Sequence, residues 1–255
     1  MIHYFAFLKK ELLESIRTYK FIILLVVFAM FGIMSPLTAK LIPALFKTFI
    51  PYAESVLIPE PRALDSWAQF FKNVSQMGLI VFILMYSSVV SGELAKKTLV
   101  NMLTKGLSRK AVILSKFTNM VIIWFLSILS SSFITWGYTV YLFPNDKVSY
   151  LVFSIFCLWL FGVFLLSLLV FASTLTTQSY ISLIILVGSI VISMLLNIIP
   201  SIQKYNPLTL STKNLELLQD FVNPSYFKFI IPITLTFIII FLISSILIFR
   251  KKEIR

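Results

Sequence analysis

Residues 150–172 read YLVFSIFCLWLFGVFLLSLLVFA and contain no Asp, Glu, Lys, Arg or His. A helix needs about 20 mostly apolar residues to cross the hydrocarbon core of a membrane, and this stretch is long enough. Hydrophobic residues make up 59% of the 255-residue chain and charged residues only 13%. A soluble domain is about half apolar and about a quarter charged. The composition therefore predicts an integral membrane protein.

Five other apolar segments are long enough to cross a membrane, so the sequence predicts six transmembrane helices. The predicted fold is an all-α integral membrane protein, with a single domain over residues 1–255. Pro36 lies near the end of the first span, and we interpret the apolar stretch from Leu41 to Ile50 as a separate helix on the outer face. The predicted spans are Phe21–Thr38, Val74–Val90, Phe117–Tyr141, Tyr150–Ala172, Tyr180–Ile199 and Phe229–Phe249.

Basic residues gather in the loops on one side of the predicted spans. The N-terminal segment, the loop between the second and third spans and the C-terminal tail carry 14 Lys and Arg against 4 Asp and Glu, whereas the remaining loops carry 8 and 6. Cytoplasmic loops are enriched in Lys and Arg, so we predict that both termini lie in the cytoplasm. The expected location is the plasma membrane of a bacterium. Because the basic residues flank the spans, the expected partner for the net charge of +12 is membrane lipid and not nucleic acid.

The segment before the first span has the pattern of an amphipathic helix. Its charged residues fall on the face opposite the apolar ones, which indicates a helix lying along the inner leaflet. Two interpretations fit this pattern equally: a simple membrane anchor, or a lever that also touches a cytoplasmic partner. The apolar positions are Phe5, Leu8, Leu12, Ile16 and Tyr19, and the charged ones are Lys10, Glu14 and Arg17.

The sequence argues against most kinds of chemistry on this chain. The predicted second to sixth spans contain no ionisable Asp, Glu, Lys, Arg or His, which argues against ion-coupled transport and against metal or aspartyl intramembrane proteases. Ser130, Ser131 and Ser132 have only His3 as a histidine base, so we interpret them as helix-packing residues. The single cysteine excludes a cysteine metal cluster, and the absence of a G-x-x-x-x-G-K-[ST] loop indicates that the chain does not hydrolyse ATP alone.

The loop between the second and third spans is the most informative one, and from Ser91 to Lys110 it reads SGELAKKTLVNMLTKGLSRK. Gly106 after Lys105 is a good helix stop, and Ser108 can cap the next helix. The pattern predicts a short amphipathic helix tied to two spans, held either by a partner protein or by anionic lipid. Its apolar stripe is Ala95, Leu99, Met102 and Leu103.

This loop resembles that of the permease subunits of ABC-2 type exporters. Their signature is an acidic residue, Gly-Thr-Leu or similar, paired Leu residues, a Pro or Gly turn, Ser-Arg and a Lys that opens the next helix. Lys97 stands here where the family usually has Gly. The residues that match the signature are Glu93, Thr98, Leu99, Met102, Leu103, Gly106, Ser108, Arg109 and Lys116.

The resemblance extends over the rest of the chain. The N-terminal segment is similar to the family's connecting helix, and residues 249–253 are similar to its cytoplasmic tail. The region from Ile199 to Lys228 is similar in position to the outer loop, where the family has short helices. The residues of the connecting helix would be Phe5, Leu8, Leu12, Ile16 and Arg17.

The resemblance implies a permease subunit that works as a homodimer or as a heterodimer with a paralogue. A separate ATPase subunit would bind ATP and Mg, and residues 93–103 would form the coupling helix that docks on it. The substrate would be amphipathic or hydrophobic, such as a peptide, a drug or a lipid, and would pass between the second and fifth spans of the paired subunits. Two alternatives stay open: an intramembrane enzyme, and an accessory membrane anchor without transport activity.

Overall fold

The computed structural model describes residues 2–49, 60–95, 108–144 and 146–252. The chain is helical across these residues and contains no strand in them. Six of the helical segments are long and apolar enough to cross a membrane, which confirms the predicted number of spans. The helices are α1 Ile2–Arg17, α2 Lys20–Phe49, α3 Ala63–Asn73, α4 Leu79–Tyr86, α5 Ser91–Ala95, α6 Arg109–Leu142, α7 Leu151–Leu175, α8 Ser179–Leu196, α9 Pro200–Gln203, α10 Thr209–Thr212, α11 Asn214–Leu218 and α12 Ile230–Lys251.

The first span is longer than predicted, because α2 continues through Pro36 to Phe49. The prediction of a separate helix after Pro36 is therefore wrong. Proline lacks an N–H group and would leave the carbonyl of Gly32 without its helical partner. The Thr135 hydroxyl from α6 donates to the Gly32 carbonyl at 3.1 Å. A neighbouring side chain thus satisfies the freed carbonyl, and the helix continues.

The second span also begins earlier than predicted, at Ala63 instead of Val74. Helix α3 continues through one π-helical turn, Val74–Gly78, into α4. Asp65 and Lys72 lie on the exposed face of α3, and these charges interrupt the apolar pattern from which a span is predicted. Its opposite face is buried through Trp67, Phe70 and Phe71.

The fourth span, α7, lies at the centre of the bundle, since 78% of its apolar 18-residue stretch is buried. It packs closely against α6 at Gly162, where an added Cβ would lie 2.2 Å from Nε1 of Trp124. That nitrogen donates to the Trp159 carbonyl at 3.0 Å. A glycine is required here because the indole ring occupies the space of a side chain.

Polar contacts tie the loops together at the end of the bundle where α3 begins. Asp146 accepts a hydrogen bond from the Ala63 backbone N–H at 2.7 Å. Ser66 and Thr139 share a hydrogen bond at 2.6 Å, and Ser149 donates to Asp220 at 2.7 Å. Three short helices, α9 to α11, lie between the fifth and sixth spans. We call this end the acidic-loop end and the opposite one the basic end.

Candidate functional site

Helix α1 is docked against the second and third spans at the basic end of the bundle. The Tyr4 hydroxyl donates to Thr118 at 2.8 Å, and the Asn119 amide donates to Ser15 at 3.0 Å. Phe7, Glu11 and Ser15 recur every four residues and form the buried face of α1. This face places a carboxylate against the start of α6.

Lys116 joins that carboxylate to the second span. Its Nζ lies 3.0 and 3.1 Å from the two carboxylate oxygens of Glu11, and 2.9 Å from Oε1 of Glu93. The Lys116 side chain is only 3% exposed, and that of Glu11 8%. One ammonium therefore connects α1, α5 and α6. We call Glu11, Lys116, Glu93, Lys10 and Glu14 the charge cluster.

Lys10 supplies the second cation of the charge cluster. Its Nζ lies 2.6 Å from Glu14 Oε2, 3.1 Å from Glu11 Oε1 and 3.6 Å from Glu93 Oε1. Oxygen atoms of the three glutamates approach within 4.8 Å of one another, close enough for a shared cation. The two lysine ammonium groups already lie among these oxygens, so the arrangement fits an ion-pair network better than a metal site.

The side chains of Lys10 and Glu14 each keep the other in its ionised form. Burial alone would lower the pKa of Lys10, but the hydrogen bond to Glu14 and the other two carboxylates raise it above its ordinary value of 10.5. Burial alone would raise the pKa of Glu14, but the hydrogen bond from Lys10 and the neighbouring ammonium charges lower it below its ordinary value of 4.5. The pair therefore stays charged over the whole range between those values.

The start of α6 is held at two further points. Ser108 accepts a hydrogen bond from the Ala111 backbone N–H at 3.2 Å, which confirms the predicted N-cap. The guanidinium of Arg109 donates to the carbonyls of Phe249, Arg250 and Lys252 at 2.7–2.9 Å. A helix leaves its last carbonyls without partners, so Arg109 caps the C-terminal end of α12.

The turn before α5 is held by the central helix of the bundle. The Ser173 hydroxyl of α7 accepts hydrogen bonds from the backbone N–H groups of Val90 and Ser91, at 3.1 and 2.9 Å. Lys252 donates to the Thr174 carbonyl at 3.1 Å, and burial lowers the pKa of that ammonium. The turn before α5 and the C-terminal tail are thus both fixed to α7.

The structure brings together only part of the predicted coupling residues. Glu93 and Ala95 lie in α5, and Ser108 and Arg109 lie at the start of α6. Thr98, Leu99, Met102 and Leu103, with Lys97 and Gly106, lie outside the described residues.

On α1, the predicted apolar positions do not form the face packed against the bundle. Phe5 and Ile16 are exposed, as is Arg17, and Leu8 and Leu12 are half-buried. The buried face of Phe7, Glu11 and Ser15 was missed, because a glutamate and a serine read as solvent-facing. Their four-residue spacing was the only signal for it.

A second candidate site is a cavity of about 1150 Å³ toward the acidic-loop end. It lies between the second and fifth spans, and the short helices between the fifth and sixth spans close one side. Its lining includes Gln69, Lys72 and Ile80 from the second span, Val187 and Val191 from the fifth, and Leu215 from α11.

The three consecutive serines of α6 lie among helix-packing contacts. A Cβ added at Gly32 of α2 would lie 2.8 Å from the Ser131 carbonyl oxygen, so the two backbones approach closely here. Ser130 donates to the Ser127 carbonyl at 2.9 Å, and the hydroxyls of Ser131 and Ser132 have no hydrogen-bond partner in the described part of the chain. The close approach of the two helices supports the packing interpretation.

A family model described as ABC-2 family transporter protein matches residues 5–254. The match includes the charge cluster, the cavity and the whole loop between the second and third spans. A comparison with curated proteins finds no match.

Proposed function

Because the chain belongs to the ABC-2 family of transporter proteins, we propose that it is the permease subunit of an ATP-driven exporter for amphipathic or hydrophobic compounds. The observation that carries the proposal is the buried contact of Lys116 with both Glu11 and Glu93. It joins the N-terminal helix, the second span and the third span, and residues 96–107 connect the second span to the third. A force applied to that loop would move all three elements together.

ATP hydrolysis belongs to a separate partner in this proposal. The sequence has no phosphate-binding loop, so ATP and Mg would bind to an ATPase subunit. Residues 93–103 would dock on that subunit as a coupling helix. Ser108 and Arg109 would hold the start of α6, so that the movement of the loop passes into the third span and not into a frayed helix end.

The cavity supports an apolar or amphipathic substrate. Its walls include parts of the second and fifth spans of one subunit, the spans between which the substrate would pass. Most of its lining is apolar, and a strongly ionic solute would lose its hydration there without gaining partners.

The proposed orientation in the membrane follows from the charge of the loops, and the proposed number of subunits follows from the need for paired ATPases. The basic end faces the cytoplasm of a bacterial cell, so both termini are inside. Two permease subunits, identical or paralogous, form one transporter.

The loop provides the test of coupling. Leu99→Asp and Met102→Asp should each remove the ATPase subunit that co-purifies with the permease. An unpaired charge buried in the docking interface would weaken the complex by about 3–5 kcal/mol. Both variants should still insert in the membrane. The matched control replaces Lys96 and Lys97 with Gln, which would detach a loop held only by anionic lipid. If the Asp variants keep the ATPase and transport while the Lys variants lose both, the coupling role is wrong.

The cavity provides the test of the substrate path. Val191→Trp should fill the space between the second and fifth spans and abolish ATP-dependent uptake of a fluorescent amphipathic peptide or lipid into inverted membrane vesicles. Ile192→Trp is the matched control, because Ile192 is equally apolar, is 59% exposed on the same helix and does not line the cavity. Full transport by the Val191 variant would contradict the path, and ATP-dependent release instead of uptake would contradict the direction.

A further inference from the structure

The wall of the cavity that belongs to the second span changes from polar to apolar along its length. Gln69, Lys72 and Gln76 line the part nearer the acidic-loop end, and Ile80 and Ile83 line the deeper part. The opposite wall is apolar throughout, with Val187 and Val191 of α8 about half exposed. A ligand that fits this surface has a polar group at one end and an apolar body.

Lys72 is the charged group available to such a ligand. Among the described residues that line the cavity, only Asp65 and Lys72 are charged. The Asp65 carboxylate accepts a hydrogen bond from the Arg62 backbone N–H at 2.8 Å, within the N-terminal cap of α3. The Lys72 ammonium makes no hydrogen bond or ion pair with any residue that the structure describes. An anionic group would therefore find an unpaired cation in Lys72.

The depth of the cavity matches one leaflet of a bilayer. Helix α3, the π-helical turn and α4 run together from Ala63 to Tyr86. At a rise of about 1.5 Å per residue, Ile83 lies about 16 Å along this stretch from Lys72. The hydrocarbon core is about 30 Å thick, so one leaflet is about 15 Å deep. The apolar part of the cavity thus has the length of the acyl chains of one leaflet.

We propose that this cavity binds an anionic phospholipid of the leaflet at the acidic-loop end, with the phosphate paired to Lys72 and an acyl chain along Ile80, Ile83 and the facing side chains of α8. Charge complementarity and the match in depth select a lipid over a peptide, whose backbone would need hydrogen-bond partners that the deep apolar wall does not offer. The proposal rests on the proposed function only in that an exporter would deliver such a lipid to this leaflet. Binding itself requires neither ATP nor the ATPase.

The test measures lipid retention by the purified permease, without ATPase and without nucleotide, using native mass spectrometry. The probes are phosphatidylglycerol and phosphatidylcholine with identical acyl chains. The wild type should retain phosphatidylglycerol in preference. Lys72→Gln should reduce that retention roughly fivefold, the effect of one basic group beside an anionic headgroup. Val191→Trp should reduce the retention of both lipids, because it fills the space for the chain.

Lys228→Gln is the matched control, because Lys228 is an exposed lysine between α11 and α12 that does not line the cavity. It should leave retention unchanged. The proposal is overturned if Lys72→Gln retains phosphatidylglycerol like the wild type, if Lys228→Gln loses as much, or if the wild type retains a peptide in place of lipid. A permease that retains the lipid but never transports would refute the exporter and leave the lipid site standing.

Discussion

Lys116 shows how much of the candidate site depends on one buried residue. Its ammonium lies between Glu11 and Glu93, and its side chain is 3% exposed. A buried ion pair adds little net stability compared with apolar packing, but removing one partner leaves an uncompensated buried charge. The residue therefore specifies how three elements meet more than it strengthens the fold.

Lys116→Met should destabilise the permease by about 3 kcal/mol, the lower end of the range for a broken buried pair, because Lys10 still lies beside both carboxylates. Unfolding in mixed micelles, followed by circular dichroism, measures the change. Adding Glu11→Gln to Lys116→Met should recover part of the loss, since it removes one of the stranded charges. Lys110→Met, an exposed neighbour on the same helix, should change little. A Lys116→Met protein as stable as the wild type would show that the carboxylates are compensated without it.

At this scale the sequence predicted residue types and missed their partners. Ser108 was identifiable as a cap because its bond is local, to the Ala111 N–H. The pairing of Lys116 with Glu11 was not, because it joins helices that are distant in the chain and depends on how α1 lies against the bundle. Lys116 appeared only as the last position of a family signature.

The helices, like the single residues, were predictable where the cause is local in the sequence and were mispredicted where a tertiary contact decides. The six apolar runs were long enough to identify, and their central parts agree with the structure. The boundaries of the first two spans were wrong, since Pro36 and the charged face of α3 are local signals for an end. Thr135 of α6 and the buried aromatic face of α3 override those signals through tertiary contacts.

The contact between the third and fourth spans can be tested at Gly162. Gly162→Ala would place a Cβ 2.2 Å from the indole nitrogen of Trp124, so one of the helices must shift. The expected cost is about 1–3 kcal/mol, as for other overpacked cores. Gly137→Ala is the matched control, because nothing lies within 4 Å of a Cβ added there. Thermal unfolding of the two variants should separate them, and equal midpoints would contradict the close packing.

Arg109 links the start of the third span to the end of the sixth. Arg109→Gln should free the carbonyls of Phe249, Arg250 and Lys252 and fray the last turn of α12. The expected loss is about 1.5–3 kcal/mol, typical of hydrogen bonds that involve a charged group. Hydrogen exchange should rise in residues 249–252 and stay unchanged in the first turn of α12. If exchange in the last turn is unaffected, Arg109 does not cap the helix.

For the whole molecule, the structure confirms how the loops are grouped. The contacts of Lys116, Arg109 and Lys252 join the N-terminal helix, the helix ends that flank residues 96–107 and the C-terminal tail at one end. These are the same three segments that carry the excess of Lys and Arg. Asp146 and Asp220 bind partners at the other end.

The charge distribution predicts the direction of the bundle in the membrane, because cytoplasmic loops are enriched in Lys and Arg. We predict that a cysteine at Ser225 reacts with an impermeant maleimide added outside intact cells. A cysteine at Thr177 should react only after the cells are opened. Both positions are exposed, at the acidic-loop end and the basic end respectively.

The background for this labelling is a chain in which Cys157 is replaced by Ala, although that thiol is buried and would label slowly. Ser154→Cys is the internal control, because a buried residue of α7 should stay unlabelled on either side of the membrane. The reverse pattern, with Thr177 labelled from outside and Ser225 protected, would place residues 96–107 outside the cell. No cytoplasmic ATPase could then dock on the loop, and the Lys116 contact would have no force to transmit.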